Sequence, residues 1–244
     1  RSDASGAGQV VTHREIYEFQ RKALDLLISW SAHDEKTLGD LVESLQGMPE
    51  AEQAKVWDLI DQWAGTAGEA GKAALRERIR RFAFTRSGRH RKLGQATRDR
   101  AREAYENLRP PDPVIRHSWL FADHWVQESA DEFAGEDFDY HKHEERIDRL
   151  RREAMAEIWT GRGFDGVREL LSGRGAAGTV GRYAATCITV AKQRVDFVGR
   201  CLSLTDGLRS NAEWCVQGFL LAVEDEGGTP ILRVAAEGLP SAEQ

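Results

Sequence analysis

The sequence predicts an all-α fold, with antiparallel helical hairpins stacked as an irregular helical-repeat array or bundle. Three observations carry that expectation. Apolar residues recur at i, i+3, i+4 and i+7 through most of the 244 residues, the spacing that gives a helix one buried stripe. Strand signals are scarce: "CITV" at 187–190 and "ILRV" at 231–234 are the candidates, and the first lies inside a helical period. Short Gly- or Pro-containing connections separate the periodic stretches, and helices joined by short turns tend to pack antiparallel.

Residues 1–11 are polar and small and read as a disordered tail, as do 239–244. Thr12-His13-Arg14-Glu15 has the form of a capping box, followed by Ile16, Phe19, Ala23, Leu27 and Trp30 at helical spacing. Leu38, Leu41, Val42 and Leu45 predict a second helix ending at Gly47. Pro49 stands where a first-turn proline belongs, ahead of Val56, Leu59, Ile60 and Trp63. Leu75, Ile79 and Phe82 mark a fourth helix, and Ala101, Ala104, Tyr105 and Leu108 a fifth with Thr97 as its N-cap. Pro110 and Pro111 remove two backbone donors and push their predecessors out of helical geometry, so a boundary is placed between an N-terminal half, 12–109, and a C-terminal half, 114–238. In the second half the pattern predicts a helix over 114–125, a polar acidic loop, a helix with Ile147, Leu150, Ala154 and Ile158, and a short one with Val167, Leu170 and Leu171. Val180 to Leu202 and Leu208 to Ala222 each trace one further apolar stripe.

Composition excludes several classes. No apolar run approaches the roughly 20 residues that span a bilayer, and the opening "RSDASGAGQ" has no apolar core of a signal peptide. The lack of an initiator Met is read as the mark of a segment cut from a longer protein. Cys187, Cys201 and Cys215 are odd in number, which argues against a disulfide framework and for a reducing, cytoplasmic setting. The net charge of −6 conceals a polarised chain: twelve Lys or Arg against two acids over 72–102, then nine Asp or Glu against one Lys over 123–145.

Gly173-Arg174-Gly175-Ala176-Ala177-Gly178 spells G-x-G-x-x-G. A dinucleotide fingerprint needs a buried strand delivering the glycine turn to a helix N-terminus, and Arg168 and Glu169 do not belong in such a strand. The glycines are expected to supply positive φ in a loop between two helices, whose next N-terminus near Thr179 remains able to hold an anion. Gly65 to Ala73 misses the P-loop pattern by one residue of spacing and by an Ala after Lys72, and reads as an interhelical turn. His117 and His124, seven apart on one expected helix face, are too far apart along the axis to share a metal ion. Asp137, Asp139, His141 and His143 are the weak metal candidates. Lys142 stands among them, and an acidic helix N-terminus accounts for most of the cluster. No cofactor is implied, and no catalytic constellation assembles.

The basic block is the first candidate contact surface, with Arg76, Arg80 and Arg81 on a helix and Arg86, Arg89, Arg91 and Lys92 in the loop "TRSGRHRKLG". Such a patch suits phosphates. It equally suits pairing with the acidic block or a solvated helix face. The second is "RHSWLFADHW", where Trp119, Phe121 and Trp125 exceed one helix face and either anchor a partner or fill the junction of the two halves.

The stretch "EAMAEIWTGRGFDGVRELLSGRGAAGTVGRYAA", 153–185, resembles the helix-turn-helix units of α-solenoid repeats of the HEAT and TPR kind, as found in large multidomain bacterial proteins. The resemblance implies a binding surface rather than a reaction. The expected function is a non-catalytic scaffold or sensor segment of a larger cytoplasmic protein, engaging a protein partner or neighbouring domains of its own chain and no membrane. The alternative is a nucleic-acid-binding helical domain using 72–102, and a third is an enzyme with an acidic cleft.

Overall fold

The computed structural model describes residues 13–31, 35–84, 93–126, 139–173, 175–205 and 207–223. Among them lie ten α-helices and no strand: α1 (His13–Ser31), α2 (Glu35–Ser44), α3 (Glu50–Ala64), α4 (Glu69–Ala83), α5 (Gln95–Asn107), α6 (Pro113–His117), α7 (Tyr140–Ser172), α8 (Ala177–Cys187), α9 (Ala191–Leu202) and α10 (Arg209–Ala222). The fold is all-α. Both tails, Thr12 and "ILRV" at 231–234 lie outside the described residues. None of the described helices is long and apolar enough to cross a membrane. The chain divides into two compact units, 1–109 and 110–244.

In the first unit α2 packs on α4, and α5 covers α3 and α4. Its core is built of large side chains, among them Leu38, Leu45, Ile60, Leu75, Ile79, Phe82 and Leu108, with Trp57 and Trp63 beside them. Pro49 precedes α3 at the cap position with the φ of −60° its ring imposes. Two expectations fail here. Thr97 sits inside α5, whose N-cap is Gly94, and its hydroxyl instead donates to Gln53 Oε1 at 2.6 Å. In α1 the stripe Ile16, Phe19, Ala23, Leu27 is not the packed one: Leu24 is buried, Ile28 packs beside it, and Phe19 is 72% exposed.

In the second unit α8 lies between α7 and α10, α9 packs on α10, and α6 packs on α7. Asp112 caps α6, its side chain accepting from Val114 N at 2.8 Å with Pro113 opening the helix. The helix expected over 114–125 stops after His117, continues as a 3-10 turn over Ser118–Leu120 and then leaves helical geometry. The reason is tertiary. Buried Arg151 on α7 donates to the carbonyls of Leu120 (2.8 Å), Asp123 (2.7 Å) and His124 (3.1 Å), and Ala176 N donates to Phe121 O at 2.8 Å. Carbonyls that a helix would have used are taken by partners elsewhere in the unit.

The two helices expected around 147–158 and 167–171 are one run, α7, bent at Gly163, whose φ of 54° and ψ of −139° interrupt it. Conversely, the single stripe over 180–202 is two helices separated at 188–190, so "CITV" marks a break rather than a strand.

Glycine has a different use here from the one expected. Positive φ occurs among the described glycines at Gly163 and Gly207, not in the 173–178 loop. Gly175, Gly181 and Gly218 instead permit close approach. A Cβ on Gly181 would lie 1.8 Å from Cys215 O, one on Gly218 2.0 Å from Gly178 O, and one on Gly175 2.6 Å from Phe121 O. Helices α8 and α10 therefore cross backbone to backbone. Phe164 and Phe219 pack on Phe197 beside them.

Candidate functional site

Gly175 and Ala176 meet the segment 120–126, because a glycine at 175 leaves room for the Phe121 carbonyl. Ala176 is tied to Phe121 by the backbone bond above, and residues 164–172 before it are helical, so the strand that a dinucleotide fingerprint requires is missing from its place. The P-loop near-miss at Gly65 to Ala73 is the turn between α3 and α4, 65–68, followed by the start of α4.

A cleft of about 710 Å³ lies along the α8–α10 contact. Trp214, Gln217, Gly218 and Leu221 line it from one face of α10, since they follow i, i+3, i+4, i+7. Gly175 and Ala176 ahead of α8 line it as well, and from α8 come Ala177, Gly178 and, one turn on from Gly178, Arg182. His124 stands at the rim with its Nδ1 3.4 Å from Thr179 Oγ1. Trp214 is 59% exposed and Leu221 62%. Arg182 has no carboxylate partner within ion-pair distance among the described residues, and its guanidinium lies 5.9 Å from the Tyr183 ring.

A second cleft of about 440 Å³ shares His124 and Arg182 and adds Trp125, His143 and Tyr183, the acids Glu144, Glu145 and Asp148, and the bases Arg151 and Arg152. Tyr183 donates to Asp148 at 2.9 Å. Burial, reinforced by Asp148, raises the Tyr183 hydroxyl above its ordinary pKa. Burial holds His143 below its ordinary value, against a hydrogen bond with the Val126 backbone.

In the first unit a groove of about 520 Å³ runs beside α1, lined by Tyr17, Phe19, Leu24, Leu27 and Met48. Ile16, Tyr17, Phe19, Leu26 and Leu27 are exposed large hydrophobics of this one helix.

The sequence-derived candidates fall as follows. Arg76 is buried, donates to Tyr105 O at 2.9 Å and stacks 3.7 Å from the Tyr105 ring. Arg80 is buried and forks onto Glu77 at 2.8 and 2.9 Å, and exposed Arg81 joins the same carboxylate at 2.9 Å. Burial alone would raise Glu77, but hydrogen bonds and charge from Arg80 and Arg81 outweigh it and hold the carboxyl below its ordinary value. Arg86, Arg89, Arg91 and Lys92 lie outside the described residues. Trp119 is half-buried against the core and Phe121 fully buried, whereas Trp125 is 50% exposed, its ring 4.8 Å from His143.

Of the weak metal candidates, Asp137 lies outside the described residues. Asp139 caps α7, accepting from His141 N and Lys142 N at 3.0 and 3.2 Å, and these bonds, led by Lys142, lower its pKa. His141 is exposed while His143 is buried, as two positions on a helix face different ways. Among the described residues no three His, Cys, Asp or Glu gather closely enough to hold a metal ion. His117 and His124 do not share a helix face, because α6 ends between them. His117 Nε2 lies 2.7 Å from Glu157 Oε2, which also pairs with Arg116. Cys201 and Cys215 are buried and Cys187 half-buried, all with thiols unbridged. The hydrogen bond that the Cys215 thiol donates to Cys201, then burial, push that thiol well up, the behaviour of inert core residues.

Sequence reasoning missed Arg182, Trp214 and Gln217. Arg182 had one usable signal, since it follows the small residues of α8 by one turn. Comparison of the chain with family models, with curated proteins and with solved structures finds no match.

Proposed function

We propose that this chain is a non-catalytic helical scaffold or sensor segment of a larger cytoplasmic protein, which engages a protein partner or neighbouring domains of its own chain. In this reading 153–185 is one unit of a helical-repeat array of the bacterial multidomain kind, and the array works by the surface it offers. The observation that carries the reading is α1. Five large hydrophobics of this one helix stay exposed, and three of them, Tyr17, Phe19 and Leu27, line an apolar groove; an exposed apolar surface rimmed by polar groups is the mark of an interaction site. The rim supplies those polar groups through Glu18, Arg21 and Glu52.

The nucleic-acid reading loses support from Arg76 and Arg80, whose guanidinium groups are committed within the unit. A photo-crosslinking amino acid at Phe19 tests the interaction reading, with Glu106 on α5 as control. In extracts of the source organism the Phe19 probe is expected to yield discrete protein adducts that the Glu106 probe does not. Equal yields from the two positions sink the reading.

A further inference from the structure

We propose that the cleft between α8 and α10 is a binding site for a small organic anion carrying a planar heteroaromatic ring, with the ring on the Trp214 indole and the anionic group at Arg182. The inference is independent of the function proposed above and concerns the other unit.

Four observations converge. The volume of about 710 Å³ lies within the roughly 300–1,000 Å³ of small-molecule sites, which combine apolar walls with a few placed polar groups. The walls are apolar where Trp214, Leu221 and Ala222 stand. An indole and a leucine left more than half exposed on one helix face gain from being covered, and an indole face favours offset stacking with another ring.

Charge sets the sign of the ligand. Although the chain carries net −6, this cleft is lined by Arg182 and by no Asp or Glu, and of the acids that share the adjoining cleft with Arg182, namely Glu144, Glu145 and Asp148, Asp148 is paired with Arg152 at 2.6 Å. A guanidinium without a carboxylate partner within ion-pair distance among the described residues retains its planar fork for a bidentate anion. The start of α8, where Ala176 offers no side-chain cap, adds backbone N–H groups on the same side of the cleft.

The polar edges suit a heterocycle rather than a plain hydrocarbon ring. Asn211 Nδ2 is already held by Leu171 O at 2.8 Å, which fixes that amide at the cleft wall with its Oδ1 still able to accept. Gln217 brings a second amide. Together they offer both donors and acceptors to ring nitrogens.

Glycine lets the cleft border close on the 120–126 segment, since a Cβ at Gly175 would lie 2.6 Å from the Phe121 carbonyl oxygen. The G-x-G-x-x-G letters thus border a ligand cleft without forming a dinucleotide fold.

A nucleoside monophosphate and an aromatic carboxylate share this chemistry, and the test separates them. The indole N–H signal of Trp214, assigned by its loss in Trp214→Phe, is followed by two-dimensional NMR during titration of the full chain. The probes are AMP, indole-3-acetate, adenosine and inorganic phosphate. At least one of AMP and indole-3-acetate is expected to bind saturably, about tenfold or more tighter than adenosine or phosphate alone, a gap of about 1.4 kcal/mol. Arg182→Gln should bring AMP down to the level of adenosine, or indole-3-acetate down by about tenfold. Trp214→Ala, read from the neighbouring backbone signals, should bring AMP down to the level of phosphate. Arg168→Gln, an exposed arginine of α7 outside the cleft, should change neither. Both cleft variants alter exposed side chains, and an unchanged circular dichroism spectrum confirms that they fold. The proposal is overturned if no probe shifts the signal at about 10 mM, a concentration that reaches affinities weaker than about 4 kcal/mol. It is equally overturned if phosphate binds as tightly as AMP and indole-3-acetate fails to bind, because the cleft then holds an adventitious anion only.

Discussion

Residues 1–109 and 110–244 are both helical, yet their helices approach one another by different means. In the first unit α2, α3, α4 and α5 are held apart by leucine, isoleucine, phenylalanine and tryptophan side chains that are almost wholly buried. Where a glycine of that unit is crowded, the neighbour is a side chain: a Cβ on Gly39 would meet Arg78 Cδ at 2.3 Å. Arg78 there bridges Asp40 (2.7 Å) and Glu43 (2.9 Å) near the surface, and a long side chain can swing aside. In the second unit the crowded neighbours of Gly181 and Gly218 are backbone carbonyls of the opposing helix, which cannot. The difference teaches where each unit tolerates change. A side-chain core loses stability gradually as atoms are removed, while a backbone crossing fails on the addition of a single methyl.

The largest effect expected follows from that contrast. Gly181→Ala places a Cβ 1.8 Å from Cys215 O, and Gly218→Ala one 2.0 Å from Gly178 O. Either must force α8 and α10 apart, at a cost of about 3 kcal/mol or more, although alanine by itself favours a helix by about 1 kcal/mol. Urea denaturation should show the loss, with faster hydrogen exchange in peptides covering 177–187 and 209–222 but not 50–83. A stability loss under about 1 kcal/mol would mean that the crossing is looser than described.

Next in size is Arg151, buried on α7 with three carbonyl acceptors in the 120–124 segment. Arg151→Met keeps the length of the side chain and removes every donor. Charged hydrogen bonds contribute about 1.5–3 kcal/mol each at most, and carbonyls stranded at a partly buried site add to the loss. A destabilisation of about 2–4 kcal/mol is expected. Exchange should rise first at 118–126, because that segment has exchanged helical bonds for this guanidinium.

That segment also shows how much was legible in the sequence. The all-α class was, because apolar period and proline breaks act locally and Pro110-Pro111 stops a helix in any context. The 114–125 helix was not, since its apolar residues keep a helical period while Arg151, some 30 positions away, takes its carbonyls. The bend at Gly163 was hidden for the converse reason: one glycine interrupts α7 without ending it. Arg76 and Arg80 read as basic surface because sequence reports charge and not burial, whereas Tyr105 and Glu77 draw them inward. The cleft was invisible because its walls, Arg182 and Trp214, are 32 positions apart and meet only through the glycine crossing.

The two units also differ in how acid reaches them. Glu77 is held ionised by Arg80 and Arg81, so its contribution is present above about 4.5 and is lost as pH falls through its lowered folded value. His143 is held neutral by burial, so its contribution is present above about 6.5 and is lost as pH falls from there toward its lowered folded value. Acidification from pH 7.5 to 5.5 should therefore loosen 139–150 while leaving 69–83 unchanged, once exchange rates are corrected for their intrinsic pH dependence. His143→Gln should flatten the response of 139–150. At neutral pH, Glu77→Gln should cost about 1–2 kcal/mol, between the value of an exposed pair and that of a buried one. Equal acid sensitivity of the two segments would break the comparison.

The smallest effect expected has the opposite sign and sharpens the first. Gly199 lies inside α9, and a Cβ there meets nothing within 4 Å, so Gly199→Ala should act through helix propensity alone. Alanine restricts the unfolded chain more than glycine does and adds no contact in the fold. The expected result is a gain of about 0.5–1 kcal/mol in urea denaturation. The substitution is chemically identical to Gly181→Ala and occurs in the same unit, 18 positions away. If both variants lose stability alike, any glycine of this unit resists a methyl group and the backbone crossing explains nothing. If Gly199→Ala gains while Gly181→Ala loses, the difference of about 4 kcal/mol measures what the α8–α10 contact demands of its glycines.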